Sequence, residues 1–360
     1  MRKICYIITR SDWGGAQVHI NSLINEFKEN NEIILIVGEK GILTEKLSGL
    51  NIKIYHVKEL KRNISLKDLI AVKKIKNIID SETPDLVHLH SSKAGLIGRI
   101  STKLSNKKIP VIFTVHGWAF TPGAKKLNRA IGYITEKILG KYVDKYICVS
   151  RYDEEIALKA GINSRKLATV YNGVKKRENI KRVNKNDSII NLTMIARFNE
   201  QKNQKMLIDA ISHLDDDRIY LNFIGDGPNL IECINYTKSK KLEKKVKFLG
   251  FKIDAVNELK ESDVFVLTSF YEGLPISIIE AMSLGLPIIA SDVGGNKELV
   301  IEGQNGYLVN SVSDLVKSLK LVSNNVLREA MGEKSKLLYN EKFTEEKCIN
   351  ATNKIYKAFI

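Results

Sequence analysis

Short runs of aliphatic and β-branched residues alternate with longer stretches of helical period along most of the 360-residue chain. In the first half the runs are "KICYIIT", "EIILIVG", "KIYHV", "LVHLH", "PVIFTVH" and "KYICVS", each leading into a polar or helical stretch. Runs this continuous suit strands buried on both faces, and their alternation with helices builds a parallel sheet covered by helices. The pattern breaks over "NGVKKRENIKRVNKNDS", Asn172 to Ser188, which is dense in charge and has no apolar period; its core, 176–188, reads as a linker. The alternation then restarts with "INLTMIAR", "IYLNFIG", "VKFLG", "VFVLTS", "PIIAS" and "GYLV", and the chain closes on a helical pattern, "EKFTEEKCINATNKIYKAFI". The fold class is therefore α/β, with two parallel-sheet domains in tandem at 1–175 and 189–342 and a terminal helix within 343–360.

Such sheets hold ligands beyond the carboxyl ends of their strands, where strand order reverses. After the first strand, Gly14 and Gly15 open an amphipathic helix, either to let an anion approach free N–H groups or simply to make a tight turn. The spacing is not G-x-G-x-x-G, which argues against a nicotinamide enzyme. The fifth strand ends in "TVHGWAF". His116 there can donate to a sugar hydroxyl or phosphate, with Trp118 or Phe120 stacking on a sugar ring, or it can bond a neighbouring carbonyl beneath an aromatic cap. In "MIARFNEQKN", Arg197 and Lys202 follow a strand end and suit a pair of phosphates, scattered surface charge being the alternative. Asp226, between two glycines in "IGDGPNL", marks a tight turn before a helix.

The stretch "FYEGLPISIIEAMSLGLPIIAS" places Glu272 and Glu280 on either side of seven residues that include a Gly and a Pro. Pro275 is placed to start a helix that ends before Gly285, leaving Glu272 on a loop and Glu280 inside the helix. On one continuous helix they would stand about 80° apart and two turns distant; a loop followed by a helix lets both face one cleft. Paired carboxylates serve as a hydrolase acid and base, as metal ligands, or as acceptors for sugar hydroxyls. Nothing in the spacing demands glycosidase geometry. Two hydroxyl acceptors could hold both ends of a nucleotide sugar while Arg197 and Lys202 neutralise the diphosphate in place of a metal. The one D-x-D, within Asp215, Asp216 and Asp217, precedes a strand and so lies at the wrong end of its sheet.

Charge adds an asymmetry. Residues 1–186 carry 35 Lys and Arg against 17 Asp and Glu, whereas the remainder carries 22 against 24. A basic first half suits an anionic partner such as a membrane surface or a lipid-linked phosphate, or merely solvates one domain. Nucleic acid is not expected, because only 7% of residues are aromatic and no aromatic and basic residues interleave on one platform. "TPGAKKLNRAIGYITEKILGKYVDK" could set Lys125, Lys126, Arg129 and Lys137 near one face with Ile131 and Ile134, as a membrane-docking helix or a packed scaffold helix. No apolar run reaches the roughly 20 residues of a membrane span. The N-terminus reads as a buried strand rather than a secretion signal. Four scattered cysteines suggest neither a metal site nor a disulfide framework and fit a reducing cytoplasm.

"EGLPISIIE" resembles the E-x7-E motif of the retaining GT-B glycosyltransferases of family 4. The series "GGAQ", "ICVS", "VYNGV", "ARFNEQKN", "GDGP", "FLGF" and "EAMSLGLPIIASDVGGNKELV" follows the family's order over nearly the whole chain. "VIFTVHGWAF" is similar to the branch that assembles bacterial capsule, exopolysaccharide or lipid-linked glycans. The resemblance implies two Rossmann-like domains facing across a cleft, the first on the acceptor side and the second binding a nucleotide-sugar donor, with the last helix crossing back to the first. Glu280 would hold ribose hydroxyls and Glu272 the donor sugar, near the amides of Gly273, Leu274 and Ile276. Arg197 and Lys202, helped by Gly15, would bind the diphosphate, the backbone around Phe251 would meet the base, and His116 would sit by the transferred sugar. Family members need no metal or other cofactor and retain anomeric configuration, with the leaving phosphate taking the acceptor's proton. The implied enzyme is a cytoplasmic hexosyltransferase, free or peripheral on the inner face of the membrane, acting on a glycan or lipid-linked acceptor with a nucleotide sugar, expected to be UDP-linked. A sugar-nucleotide epimerase of the same architecture, or a basic non-enzymatic binding protein, is the alternative. Ala196 and Asn203 stand where many members carry Gly, which puts the local backbone geometry in question.

Overall fold

The computed structural model describes residues 1–177 and 188–360. The chain divides into two compact units, Met1–Asn172 with Glu345–Ile360, and Gly173–Thr344. The expected linker, 176–188, lies largely outside the described residues. The second unit begins at Gly173 rather than after it because Val174 N donates to Phe343 O (3.1 Å) and Val174 O accepts from the Tyr339 hydroxyl (3.0 Å).

In the first unit seven strands, β1 (Arg2–Ile8), β2 (Asn31–Val37), β3 (Lys53–His56), β4 (Leu86–His90), β5 (Val111–Val115), β6 (Lys145–Cys148) and β7 (Leu167–Thr169), form one parallel sheet ordered β3-β2-β1-β4-β5-β6-β7. Six of these were expected; β7 is three residues long and carries no apolar run of its own. The connecting helices are α1 (Gly15–Phe27), α2 (Ile42–Leu47), α3 (Lys67–Glu82), α4 (Ser92–Lys103), α5 (Lys126–Leu139) and α6 (Arg151–Lys159). Alternate side chains of each strand face opposite layers. Cys5 and Ile7 join one core with Ala71, Ile75 and Ile97, whereas Ile4, Tyr6 and Ile8 join another with Ile20, Leu23 and Ile24.

The second unit repeats the plan with six parallel strands: β8 (Ile190–Ile195), β9 (Ile219–Ile224), β10 (Val246–Phe248), β11 (Val264–Leu267), β12 (Ile288–Ser291) and β13 (Gly306–Val309), ordered β10-β9-β8-β11-β12-β13. Its helices are α7 (Gln204–Ser212), α8 (Leu230–Ser239), α9 (Ile276–Ser283), α10 (Asn296–Leu299), α11 (Val312–Val322) and α12 (Asn325–Lys342). The last helix, α13 (Glu345–Tyr356), belongs to the first unit. There Tyr356 packs on Phe27 with ring centroids 4.9 Å apart, and the Ser22 hydroxyl donates to Glu345 at 2.5 Å. Asp216 is spent on Arg218 and Asp217 on Lys245 at the amino end of β9, so the acidic triplet is a solvated turn.

Candidate active site

In the second unit strand order reverses between β8 and β11. The chain leaves β8 through Ala196 and Arg197 and leaves β11 through Thr268 and Ser269. These two exits are laced together. Phe270 N donates to Gln201 O (2.8 Å), Gln201 Nε2 to Tyr271 O (2.8 Å) and the Thr268 hydroxyl to Asn203 O (3.0 Å). Lys202 closes a 3-10 turn, where its backbone N–H donates to the Asn199 side chain (3.2 Å), and its Nζ donates to Glu272 Oε1 at 2.5 Å. The Ser269 hydroxyl donates to the same oxygen at 2.5 Å. Glu272 is 8% exposed and the Lys202 side chain 18%, so water screens this pair little.

The backbone of this crossing is held by close approaches. Asn203 takes the left-handed conformation (φ 47°, ψ 48°) between the 3-10 turn and α7. Asn tolerates that region better than any other residue except Gly. Gly294 (φ +55°) leaves no room for a side chain: a Cβ there would lie 1.9 Å from Glu272 O. Beside it Gly295 N donates to Gly273 O at 2.9 Å. Gln204 Nε2 donates to Arg197 O (3.0 Å), and Phe198 N donates to Asp226 O (2.9 Å), which ties the exit of β8 to the turn after β9. Arg197 itself is exposed.

Pro275 stands one position before α9, outside the helix, with Gly273, Leu274 and Ile276 buried around it. Glu280 lies in α9, partly buried, and its pKa is pushed up to about 7. Burial raises it; the Arg177 charge lowers it in part, and the Asp254 carboxylate raises it further. Arg177 and Asp254 form a fork of two hydrogen bonds at 3.1 Å each. Glu272 and Glu280 thus serve different neighbourhoods, one neutralised by Lys202 and the other poised near half-ionisation. Phe251 follows β10 in an exposed loop and is itself 44% exposed.

In the first unit Gly15 is the exposed first residue of α1, whose cap, Gly14, offers no side-chain acceptor to the first-turn N–H groups. His116 follows β5. Its Nε2 pairs with His90 Nδ1 at 3.1 Å rather than with a backbone carbonyl. Behind them, His88 bonds the Tyr356 hydroxyl (2.5 Å) and the Thr114 hydroxyl (2.7 Å), while the His19 ring meets His116 edge-on at 5.2 Å. Burial holds all four imidazoles below their usual range, His19 at about 4. Trp118 and Phe120 are not available as an exposed sugar platform: both are buried, they stack on each other at 4.8 Å, and Trp118 Nε1 donates to Asp153 O at 2.7 Å. A strand-end tryptophan whose indole N–H finds a buried carbonyl is core, not binding surface. Among the described residues no group of three or more His, Cys, Asp or Glu side chains is arranged to hold a metal ion.

A family model described as Glycosyl transferases group 1 matches residues 175–338, and one described as Glycosyltransferase Family 4 matches residues 13–177. An Escherichia coli relative named UDP-Gal:alpha-D-GlcNAc-diphosphoundecaprenol alpha-1,3-galactosyltransferase is 33% identical over 325 residues, spanning 85% of this chain and 83% of that protein. The chain belongs to the GT-B glycosyltransferases of family 4. The O-antigen biosynthesis glycosyltransferase WbnH of Escherichia coli is 31% identical over 322 residues, spanning 87% of this glycosyltransferase and 88% of its own length. The structure of Anabaena HepE in complex with UDP and glucose shares the fold at a TM-score of 0.86, with 19% identity over 99% of this chain and 100% of that one.

Several residues of the glycosyltransferase's first unit escape sequence reasoning. His19, His88 and His90 come from α1 and β4 and meet His116 only in the folded sheet. Ser91, at the carboxyl end of β4, holds a positive φ of 73° and its hydroxyl shares a hydrogen bond with that of Thr9 at 2.9 Å. The alternation in "LVHLHSS" was a signal for His90, since the last residue of a parallel strand faces the ligand edge.

Proposed function

We propose that this glycosyltransferase moves a hexosyl group from a UDP-sugar to a glycan or lipid-linked acceptor in bacterial cell-surface polysaccharide biosynthesis, retaining anomeric configuration and using no metal. The observation that carries the reading is the crossing of the β8 and β11 exits in the second unit. In this reading Lys202 and Arg197 suit a diphosphate, Glu272 a sugar, and Glu280, in the helix that follows, the ribose diol. A neutral Lys202–Glu272 pair suits the task, because an incoming diphosphate can take the ammonium while sugar hydroxyls take the released carboxylate. The bond from the sugar's anomeric carbon to the β-phosphate oxygen breaks, and the acceptor oxygen bonds that carbon on the same face. The acceptor's proton passes to the leaving phosphate. In this scheme Arg197 and Lys202 carry the charge compensation that a divalent ion supplies elsewhere. UDP in the HepE structure, and a UDP-galactose donor with a diphosphoundecaprenol acceptor in the name of the Escherichia coli relative, support the choice of donor and acceptor class. The placing of His116 beside the transferred sugar, and of Gly15 at the diphosphate, rests on family likeness.

Incubating the enzyme with UDP-hexoses, with and without a diphosphate-linked saccharide acceptor, tests the proposal. A product glycoside whose anomeric proton coupling matches the donor's, formed equally with and without a chelator, is expected. Release of an epimerised sugar or nucleotide sugar from donor alone, or loss of turnover on chelation, would overturn it.

A further inference from the structure

α5 packs inside out. Amphipathic helices on a globular protein turn their apolar stripe to the core, but no residue of α5 is buried. Leu127, Ile131, Ile134 and Ile138, spaced so that they fall within about 60° of one another around the helix, are 71%, 41%, 54% and 56% exposed. The opposite side holds the contacts that fix the helix. A Cβ at Gly132 would lie 2.8 Å from the Ala119 Cβ, and Glu136 turns inward to bond Arg99 at 2.7 and 2.8 Å and to accept from the Tyr146 hydroxyl at 2.7 Å. Glu136 is the helix's only acid, so the outward surface carries Lys126 and Lys137, which flank the stripe, with no carboxylate of its own.

The neighbourhood repeats the theme. Beside α5 lies an open groove of about 320 Å³ with Phe120, Pro122, Tyr133 and Ile156 in its lining and Arg129 and Lys159 among its residues. α3 and α5 both pack on α4. The start of α3 exposes Leu66 (89%) and Leu69 (74%) beside Lys67, while its acid, Asp68, is taken up by the buried Lys93. Apolar side chains pointing outward and cations with their acids withdrawn are complementary to a surface that is oily beneath and anionic above. A second copy of the same helix is a poor match, since it would bring like charges together.

We propose that α5 lies in the interface of an anionic phospholipid bilayer, with Leu127, Ile131, Ile134 and Ile138 among the acyl chains and Lys126 and Lys137 at the headgroup phosphates. The purpose of such docking rests on the lipid-linked acceptor proposed above; the surface itself does not. No described helix is long and apolar enough to cross a membrane, so the attachment is parallel to it.

Co-sedimentation of the full-length protein with sucrose-loaded vesicles tests the assignment, using phosphatidylcholine alone or with about 30% phosphatidylglycerol. The wild type sediments with the anionic vesicles at low salt. A doubled change, Ile134→Asp with Ile138→Asp, lowers the partition coefficient at least about tenfold, because apolar burial is replaced by charge. These positions are exposed, so UDP affinity and the unfolding midpoint stay unchanged, which separates failure of docking from failure of the donor site. In a third arm, Ile134→Trp fluorescence is quenched by lipids brominated on the acyl chain, which headgroup adsorption alone would not cause. Equal sedimentation of wild type and double variant, absence of quenching, or a dimer in light scattering that the double variant dissolves would each overturn the proposal.

Discussion

Lys202 Nζ lies 2.5 Å from Glu272 Oε1, so the cation suited to a diphosphate is already bonded to the carboxylate suited to the sugar. Replacing Lys202 by Ala removes a charge-assisted bond of about 1.5–3 kcal/mol, which corresponds to a loss of UDP affinity of roughly 10- to 100-fold. Uridine, which has no diphosphate, should bind both proteins alike in calorimetry. The same substitution leaves Glu272 buried with only the Ser269 hydroxyl, and an unfolding free energy lowered by about 1–3 kcal/mol is expected in urea titrations. Lys202→Arg should recover the stability better than the affinity.

Glu280 sets a pH dependence. Its folded pKa, about 7, stands above the ordinary carboxyl value of 4.5 because burial disfavours the charge. The favourable protonated form is therefore fully present below the unfolded value, and its contribution to stability is lost as pH rises through about 7. Ribose binding runs the other way, since the ionised carboxylate accepts both hydroxyls. UDP affinity measured by calorimetry should rise with pH across about 7 in the wild type. It should be nearly flat in Glu280→Gln, and that variant should be more stable than the wild type at alkaline pH.

The histidine cluster makes the first unit acid-sensitive. His19 is held at about 4 against an ordinary 6.5, and His88, His90 and His116 are also held well below it, by burial first and by one another's charge second. The unfolded chain binds these protons earlier, so stability is complete above pH 6.5 and falls as pH drops toward 4. Each group contributes a slope of up to about 1.4 kcal/mol per pH unit. Urea midpoints taken through this range should steepen downward, and His19→Leu should reduce the slope by about one proton.

Backbone geometry at the crossing is testable at two positions. Gly294→Ala places a Cβ against Glu272 O and forces a side chain into a positive φ, so a stability loss of about 1–3 kcal/mol together with a fall in kcat is expected. Asn203→Gly keeps the left-handed turn and should change stability by less than about 0.5 kcal/mol. Asn203→Val, β-branched in that region, should cost more than either. Thermal unfolding and initial rates on the same preparations separate the two effects.

Most of the architecture was legible in the chain because buried parallel strands leave long apolar runs, as in "NEIILIV" of β2, and a run survives whatever surrounds it. The three-residue β7 left none. The pairing of Lys202 with Glu272 was legible for a related reason: each follows closely on a recognisable strand, and the adjacent ends of β8 and β11 bring the two together. His116 was seen and its partners were not. The contacts of His88 with Tyr356 and of His19 with Cys348 join residues 268 and 329 positions apart, and a single sequence carries no trace of such pairings. Trp118 misled because an aromatic after a strand reads alike whether its indole faces ligand or, as here, the Asp153 carbonyl.

The central claim is that the E-x7-E helix of the second unit holds a nucleoside diphosphate through its last carboxylate. Titration calorimetry of UDP into the wild type and into Glu280→Ala, at a pH above 7 where the carboxylate is ionised, tests it most directly. The account predicts a loss of at least about tenfold in affinity, the worth of a charged hydrogen-bonded acceptor, with the unfolding midpoint retained or raised. Unchanged UDP affinity in Glu280→Ala would contradict it.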